Sequence, residues 1–213
     1  MPIPLWSEVS ALFNLNFMVD NFELIRTLLK FESKDDFYFI QILQRSKDNP
    51  ETGANNRLVK SYYIRSLEYF DSKKNEIKQV CELYKARAYI HLTKRSYKDV
   101  ALVCLQNLVE RIRYDQVDEV YRCYDSACGV SYVKADKTWV VDIDEPIDNR
   151  AVNNILLFIE RECQPIGSKF KALIPTKSGF HLITTPFDMS TFAKQYPNID
   201  VHKNNPTLLY FKG

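Results

Sequence analysis

Residues 137–145, KTWVVDIDE, decide how the chain is read. Trp139, Val140 and Val141 form a short β-prone apolar run that ends in Asp142-Ile143-Asp144. Such a run reads as a buried strand ending in carboxylates. Side chains alternate along a strand, so Asp142 and Asp144 share one face, about 7 Å apart at their Cα atoms, while Ile143 turns to the core. Adjacent carboxylates repel, and each is costly to bury unpaired. A divalent cation relieves both costs, and oxygen ligands of this kind suit Mg²⁺ or Mn²⁺. Taken alone, the stretch also reads as a strand end running into a solvated acidic turn. Glu145, ahead of Pro146, belongs to that turn.

The grammar downstream is regular. A helix is expected over 149–163, with Val152, Ile155, Leu156 and Ile159 on its apolar face and Pro165 and Gly167 stopping it. FKALIP (170–175) and FHLIT (180–184) read as a hairpin joined by Thr176-Lys177-Ser178-Gly179. A short helix near 190–196 precedes Asn198-Ile199-Asp200-Val201, and TLLYF (207–211) is the last strand. The order is β-α-β-β-α-β, that of an RRM-like split βαβ sheet.

Upstream, apolar residues at helical spacing (Leu12, Leu15, Met18, then Phe22, Ile25, Leu28, Leu29) predict helices within 1–31, the second capped by Asp20 or Asn21. FYFIQIL (37–43) and LVKSYYI (58–64) read as strands around a long loop, 44–56. A helix is expected at 75–83, and a third strand at 87–92 with Arg87, Tyr89 and His91 on its polar face. Ser96 with Asp99 makes an N-terminal cap for a helix over 97–112, whose apolar stripe is Val100, Val103, Cys104, Leu108 and Ile112. Residues 113–137 read as a connector. The fold class is therefore α/β (α+β): an N-terminal α/β module, 1–136, packed on a C-terminal RRM-like β-α-β-β-α-β module, 137–213, the two forming one compact domain.

At 213 residues, 46% apolar and 26% charged, the composition is that of an ordinary globular protein. Net charge is only +2, but 35–100 carries 13 Lys/Arg against 9 Asp/Glu, so a basic surface in the first half is expected. The five cysteines (81, 104, 123, 128, 163) lack disulfide-framework spacing, which points to a reducing, cytoplasmic compartment. Cys123 and Cys128 lack a second Cys/His pair, so zinc is not expected. No apolar run approaches a membrane span. The five glycines make neither a dinucleotide fingerprint nor a Walker loop, and no serine sits in a nucleophile elbow.

The remaining polar features converge on the second module. Ser178-Gly179-Phe180-His181 stands at the hairpin turn: Gly179 allows close approach of a ligand to the backbone, Ser178 and its neighbours offer phosphate donors, His181 can bond a phosphate oxygen, and Lys177 adds charge. Asp200 follows an apolar residue near a strand. In a β-α-β-β-α-β sheet the first and third strands are central neighbours, so Asp142 and Asp144 face His181. Three carboxylates and a phosphate donor on one sheet face form a two-metal nucleotidyl-transfer site.

This ordered set, a strand ending in D-x-D, then small-x-H (Gly179-Phe180-His181), then hydrophobic-D (Ile199-Asp200), resembles the archaeo-eukaryotic primase superfamily, the primase-polymerases. Phe187-Asp188 also fits the third motif. The resemblance implies template-dependent nucleotidyl transfer with Mg²⁺ or Mn²⁺ from NTPs or dNTPs. Asp142, Asp144 and Asp200 would be the catalytic metal ligands, with Lys177, Ser178, Gly179 and His181 at the nucleotide. A DNA template, single-stranded or primed, is the expected partner, on a basic track including Arg57, Lys60, Arg87 and Arg95, with Arg45, Lys94, Tyr62, Tyr63 and Tyr89 nearby. The resemblance further implies DNA replication in a bacterial or phage-infected cytoplasm, a replicative helicase or further domain as partner, and either the catalytic piece of a longer protein or a phage-type minimal version. Two other readings stand beside it: a metal-dependent nuclease or phosphoesterase on the same acids, and a non-catalytic RRM-like nucleic-acid-binding module.

Overall fold

The computed structural model describes residues 17–144 and 149–213, which form a mixed α+β protein built on two antiparallel sheets. The first sheet takes β1 (Met18–Asp20), β2 (Asp36–Gln44), β3 (Arg57–Ile64), β4 (Arg87–Ile90) and β5 (Arg95–Ser96) from the first half of the chain. It also takes β10 (Thr207–Lys212) from the C-terminus, in the order β1-β10-β4-β2-β3 with β5 beside β2. The second sheet is β6 (Trp139–Ile143), β7 (Phe170–Pro175), β8 (Phe180–Thr184) and β9 (Asp200–His202), in the order β7-β8-β6-β9.

Alternation assigns the faces. Tyr38, Ile40, Ile42, Ala88 and Ile90 turn to one side of the first sheet, where α1 (Phe22–Arg26) and α2 (Leu67–Leu83) bring Phe22, Ile25, Phe70 and Ile77 against them. Val140, Ala172, Ile174 and Ile183 of the second sheet join the same buried cluster, so one core runs through both sheets. On the other side of the first sheet, α3 (Tyr97–Arg113) and α4 (Cys123–Val130) cover Phe37 and Phe39. The far face of the second sheet, with Trp139, Val141, Ile143 and Leu182, is covered by α5 (Asn149–Glu162) and α6 (Met189–Gln195). At about 25 cal/mol per Å² of apolar surface, burying each such aliphatic side chain contributes roughly 1.5–3 kcal/mol.

Several expectations hold. Ser96 Oγ accepts from the Asp99 amide at 3.0 Å and caps α3. The strands at 37–43 and 58–64 form the antiparallel pair β2–β3. Others are corrected. Met18 lies on a strand, and Leu12 and Leu15 fall outside the described residues. Asn21 makes no side-chain cap; of the two expected residues it is Asp20 whose Oδ1 accepts from the Phe22 amide at 3.3 Å, while the Asn21 side-chain amide donates to the Pro175 and Leu208 carbonyls and ties the two sheets together. The helix expected from 75 begins at Leu67, because Ser66 Oγ accepts from the Tyr69 amide and starts it about two turns earlier. TLLYF, expected in the second module's sheet, instead pairs with β1 and β4, leaving Asp200–His202 as the fourth strand beside β6. Among the described residues no helix is long and apolar enough to cross a membrane.

Candidate active site

The strand ladder assembles the site. β6 is central, and both of its neighbours are antiparallel. Asp142 stands directly opposite His181 on β8 and directly opposite Asp200 on β9. Opposed residues share a face, with Cβ atoms about 4.5–5.5 Å apart. Asp200, Asp142 and His181 are therefore one row across three strands. Val140 stands opposite His202, which sets that imidazole beside the row. His181 Nε2 lies 3.3 Å from Asp142 Oδ1, and His202 Nε2 lies 3.8 Å from Asp142 Oδ2. The His181 contact, aided by the nearby His202 charge, holds the Asp142 carboxyl below its ordinary pKa against the opposing effect of burial. On the other ring nitrogen, His181 Nδ1 is 2.8 Å from Thr207 Oγ1, a buried hydroxyl delivered from the first sheet by β10.

Gly179 fixes this register. A Cβ there would run into the Ile143 carbonyl oxygen and sit 3.0 Å from the Ile143 carbonyl carbon and 3.2 Å from that of Asp144. The absence of a side chain at Gly179 admits the end of β6. Its amide donates to Thr176 Oγ1 at 3.1 Å, closing the turn that carries Lys177 and Ser178.

The row opens onto a cleft of about 920 Å³ between the sheets. Asp142, Asp144, Lys177, Ser178, His181 and His202 line it from the second sheet and its loops. Gln41, Leu43, Arg45, Arg87, Tyr89 and His91 line it from the first, on the face that α3 and α4 leave uncovered. Asp48 spans the two sides. Its carboxylate accepts from Arg87 Nε and Nη2 at 2.6 and 2.7 Å and from Lys177 Nζ at 3.0 Å. Burial raises the Asp48 carboxyl, but these two cations outweigh it and hold its pKa below the usual carboxylate value. Arg87 and Lys177 also lie over the Phe211 ring, 4.8 and 5.1 Å from its centroid.

Deeper in the cleft, His91 stacks on Phe39 at 5.7 Å, and burial pushes its pKa down to about 3. Its Nδ1 and the Arg45 Nε are buried without a hydrogen-bond partner among the described residues. Arg45 Nη1 donates to the Tyr89 hydroxyl at 3.2 Å.

Not every expected residue comes to this place. Asp144 lines the cleft just past the end of β6 and is exposed; Asp200 is exposed at the outer end of the row. Asp188 is occupied elsewhere. It caps α6, accepting from the Ser190 amide at 2.9 Å and Thr191 Oγ1 at 2.6 Å, bonds that hold its pKa near 2. Of the four basic residues expected on a template track, Arg87 lines the cleft and the other three do not. Arg57 is exposed at the start of β3. Lys60 pairs with Glu76 at 2.7 Å. Arg95 is fully buried, where desolvation lowers its pKa to about 10, and it donates to the Cys128 and Thr93 carbonyls and to Asn204 Oδ1. Lys94 is buried too, paired with Glu32, Asp36 and Asp136. Sequence reasoning missed His202, Thr207 and Asp48. A signal for His202 was present: it lies two residues from Asp200, hence on the same strand face. Thr207 and Asp48 carried none, because each reaches the site through a long-range crossing.

The acids form an open row. Among the described residues no group of three or more His, Cys, Asp or Glu side chains closes around a common point. The donor chemistry still fits a hard divalent cation. Two carboxylates directly opposed on a ladder repel, and Asp144 and Asp200 make no ion pair among the described residues. When the chain is compared with known proteins, no family, no curated protein and no solved structure matches it.

Proposed function

We propose that the chain is a nucleotidyltransferase that extends or starts a nucleic-acid strand on a template, with Mg²⁺ or Mn²⁺ and an NTP or dNTP. The reading rests on the primase-polymerase-like motifs. The observation that carries it is the row Asp200–Asp142–His181 across three strands at the rim of a cleft whose opposite wall is basic. The order β7-β8-β6-β9, with α5 following β6 and α6 following β8 along the chain, supports an RRM-like reading of the second module.

In this reading Asp142, Asp144 and Asp200 hold the divalent ions, which when bound neutralise the triphosphate and ease deprotonation of a 3′-hydroxyl. His181, braced by Thr207, turns its Nε2 from Asp142 to a phosphate oxygen once the carboxylate is engaged. Lys177 and Arg87 meet phosphate charge at the cleft mouth. Tyr89, with Arg45 beside it, offers a stacking surface for template or base. Positioning and charge neutralisation supply the catalysis, with no covalent step on the protein.

The test is extension of a labelled primer on a single-stranded template with Mn²⁺ or Mg²⁺, comparing wild type with Asp142→Ala/Asp144→Ala. Extension by wild type alone is expected. Extension that survives the double substitution removes the reading. The presence of His202 beside Asp142 keeps one other reading open, a hydrolase with an imidazole set to activate water. It predicts metal-dependent degradation of the primer without nucleotides.

A further inference from the structure

The helix α3 carries a second apolar stripe that the fold does not use. Val100 is buried, Val103 and Cys104 are half-buried against α4 and β2, and Leu108 is half-buried on the same side of the helix. Leu102, Leu105, Val109 and also Ile112, which the sequence pattern places on the inner stripe, face the other way and are 54%, 58%, 57% and 57% exposed. Their spacing, 3-4-3, is that of the a and d positions of a heptad seam. A helix apolar on both faces is a helix meant to be covered on both, and contiguous exposed apolar surface marks an interaction site. Tyr114, Val117 and Tyr121 extend the patch past the end of the helix at 66%, 53% and 72% exposure.

The charges beside the stripe identify the occupant. Asp99, Gln106 and Arg113 are all exposed and recur every seven residues along one flank. When two copies of α3 pack antiparallel about a two-fold axis near position 107, Leu102 meets Ile112 of the second copy and Leu105 meets Val109. On that flank Asp99 then comes near Arg113 and Gln106 near its own counterpart. The seam is apolar along its length and its flanking charges are of opposite sign, which is the self-complementarity an isologous contact requires. Neither Asp99 nor Arg113 has an ion pair within the chain among the described residues.

We propose that α3 is a homodimerisation helix, joining two copies of this chain by an antiparallel, two-fold seam on the side of the first sheet away from α2. This inference is independent of the reading of the cleft.

Sedimentation equilibrium on the full chain tests it. Wild type is expected to show a monomer–dimer equilibrium in the micromolar range, the strength proper to a small seam. Leu105→Glu should be monomeric with an unchanged circular-dichroism spectrum, since the residue it replaces is exposed. Asp99→Arg and Arg113→Asp should each weaken the dimer about tenfold, and the double reversal should restore it. Gln106→Cys should crosslink with a short bismaleimide under conditions where wild type does not. Wild type that stays monomeric, a dimer that survives Leu105→Glu, or a double reversal no tighter than the singles overturns the proposal.

Discussion

Gly179→Ala puts the geometry of the site to its hardest test. The added methyl enters the space of the Ile143 carbonyl oxygen and lies 3.0 and 3.2 Å from the carbonyl carbons of Ile143 and Asp144, all backbone atoms that no rotamer change can move. Restoring an ordinary C···O contact of about 3.3 Å requires the ends of β6 and β8 to part by on the order of 1 Å. Overpacking of this kind costs about 1–3 kcal/mol. Loss of the terminal ladder bonding at the Ile143–Phe180 pair adds about 1 kcal/mol. Reduced freedom of the unfolded chain returns about 0.4–1 kcal/mol. The net expectation is a loss of about 1–3.5 kcal/mol in urea denaturation. Function should fall further than stability. His181 is two residues along the same strand, and a displacement near 1 Å in a positioned group costs about 100-fold. Primer extension by folded Gly179→Ala protein should drop by that order. Gly129→Ala, where a Cβ meets nothing within 4 Å, is the control and should be neutral or slightly stabilising. A Gly179→Ala protein within about 0.5 kcal/mol of wild type, the usual range of surface changes, would refute the close-approach argument.

Three further expectations follow from the same region. Asp48→Ala leaves Arg87, only 16% exposed, and Lys177 without their shared carboxylate; a loss of about 2–3 kcal/mol is expected in denaturant melts, below the full cost of a broken buried pair because the site opens to the cleft. His91 has a folded pKa near 3 against 6.5 for the free side chain, so the unfolded chain binds the extra proton. Stability is therefore full above pH 6.5 and falls by about 1.4 kcal/mol per unit as pH drops below it. His91→Leu should flatten that part of the pH–stability curve, and an unchanged slope would remove the assignment. Thr207→Val deletes the hydroxyl that braces His181 Nδ1; about 1 kcal/mol of stability and about tenfold in nucleotide-dependent activity should go with it, while a crystal structure with His181 unmoved and activity intact would count against a bracing role.

Much of the second module was legible because its signals are local. The apolar run into Asp142 and Asp144, the stop at Pro165 and Gly167, and the turn at 176–179 each declare themselves within a few residues, and alternation then puts Asp142, His181 and Asp200 on known faces. The crossing of β10 was not legible. TLLYF is buried along its length, so its pattern says only that it is an interior strand, and nothing in it names the sheet it joins. Nor could the basic track be read from charge alone. Lys60, Arg87, Lys94 and Arg95 look alike in sequence, yet one pairs on the surface, one lines the cleft, one sits among three carboxylates and one is wholly buried on carbonyl oxygens. Burial and pairing separate them, and both are properties of the fold.

The register of β6 against its two neighbours is the step on which the site depends. The side-chain period of a strand is two, so a slip of one residue on either side would carry His181 or Asp200 to the face covered by α5 and α6. There a carboxylate or imidazole would displace Leu182 or Val201 from an apolar cluster, at the cost of burying a polar group without a partner. Hydrophobic burial on the far face therefore holds the polar row on the near one. Gly179 sharpens that constraint at the end where the contact is tightest, since the backbone of Ile143 can approach only where no side chain stands. Gly179 and Asp142 thus answer to one geometric requirement: the central strand must end directly opposite the turn.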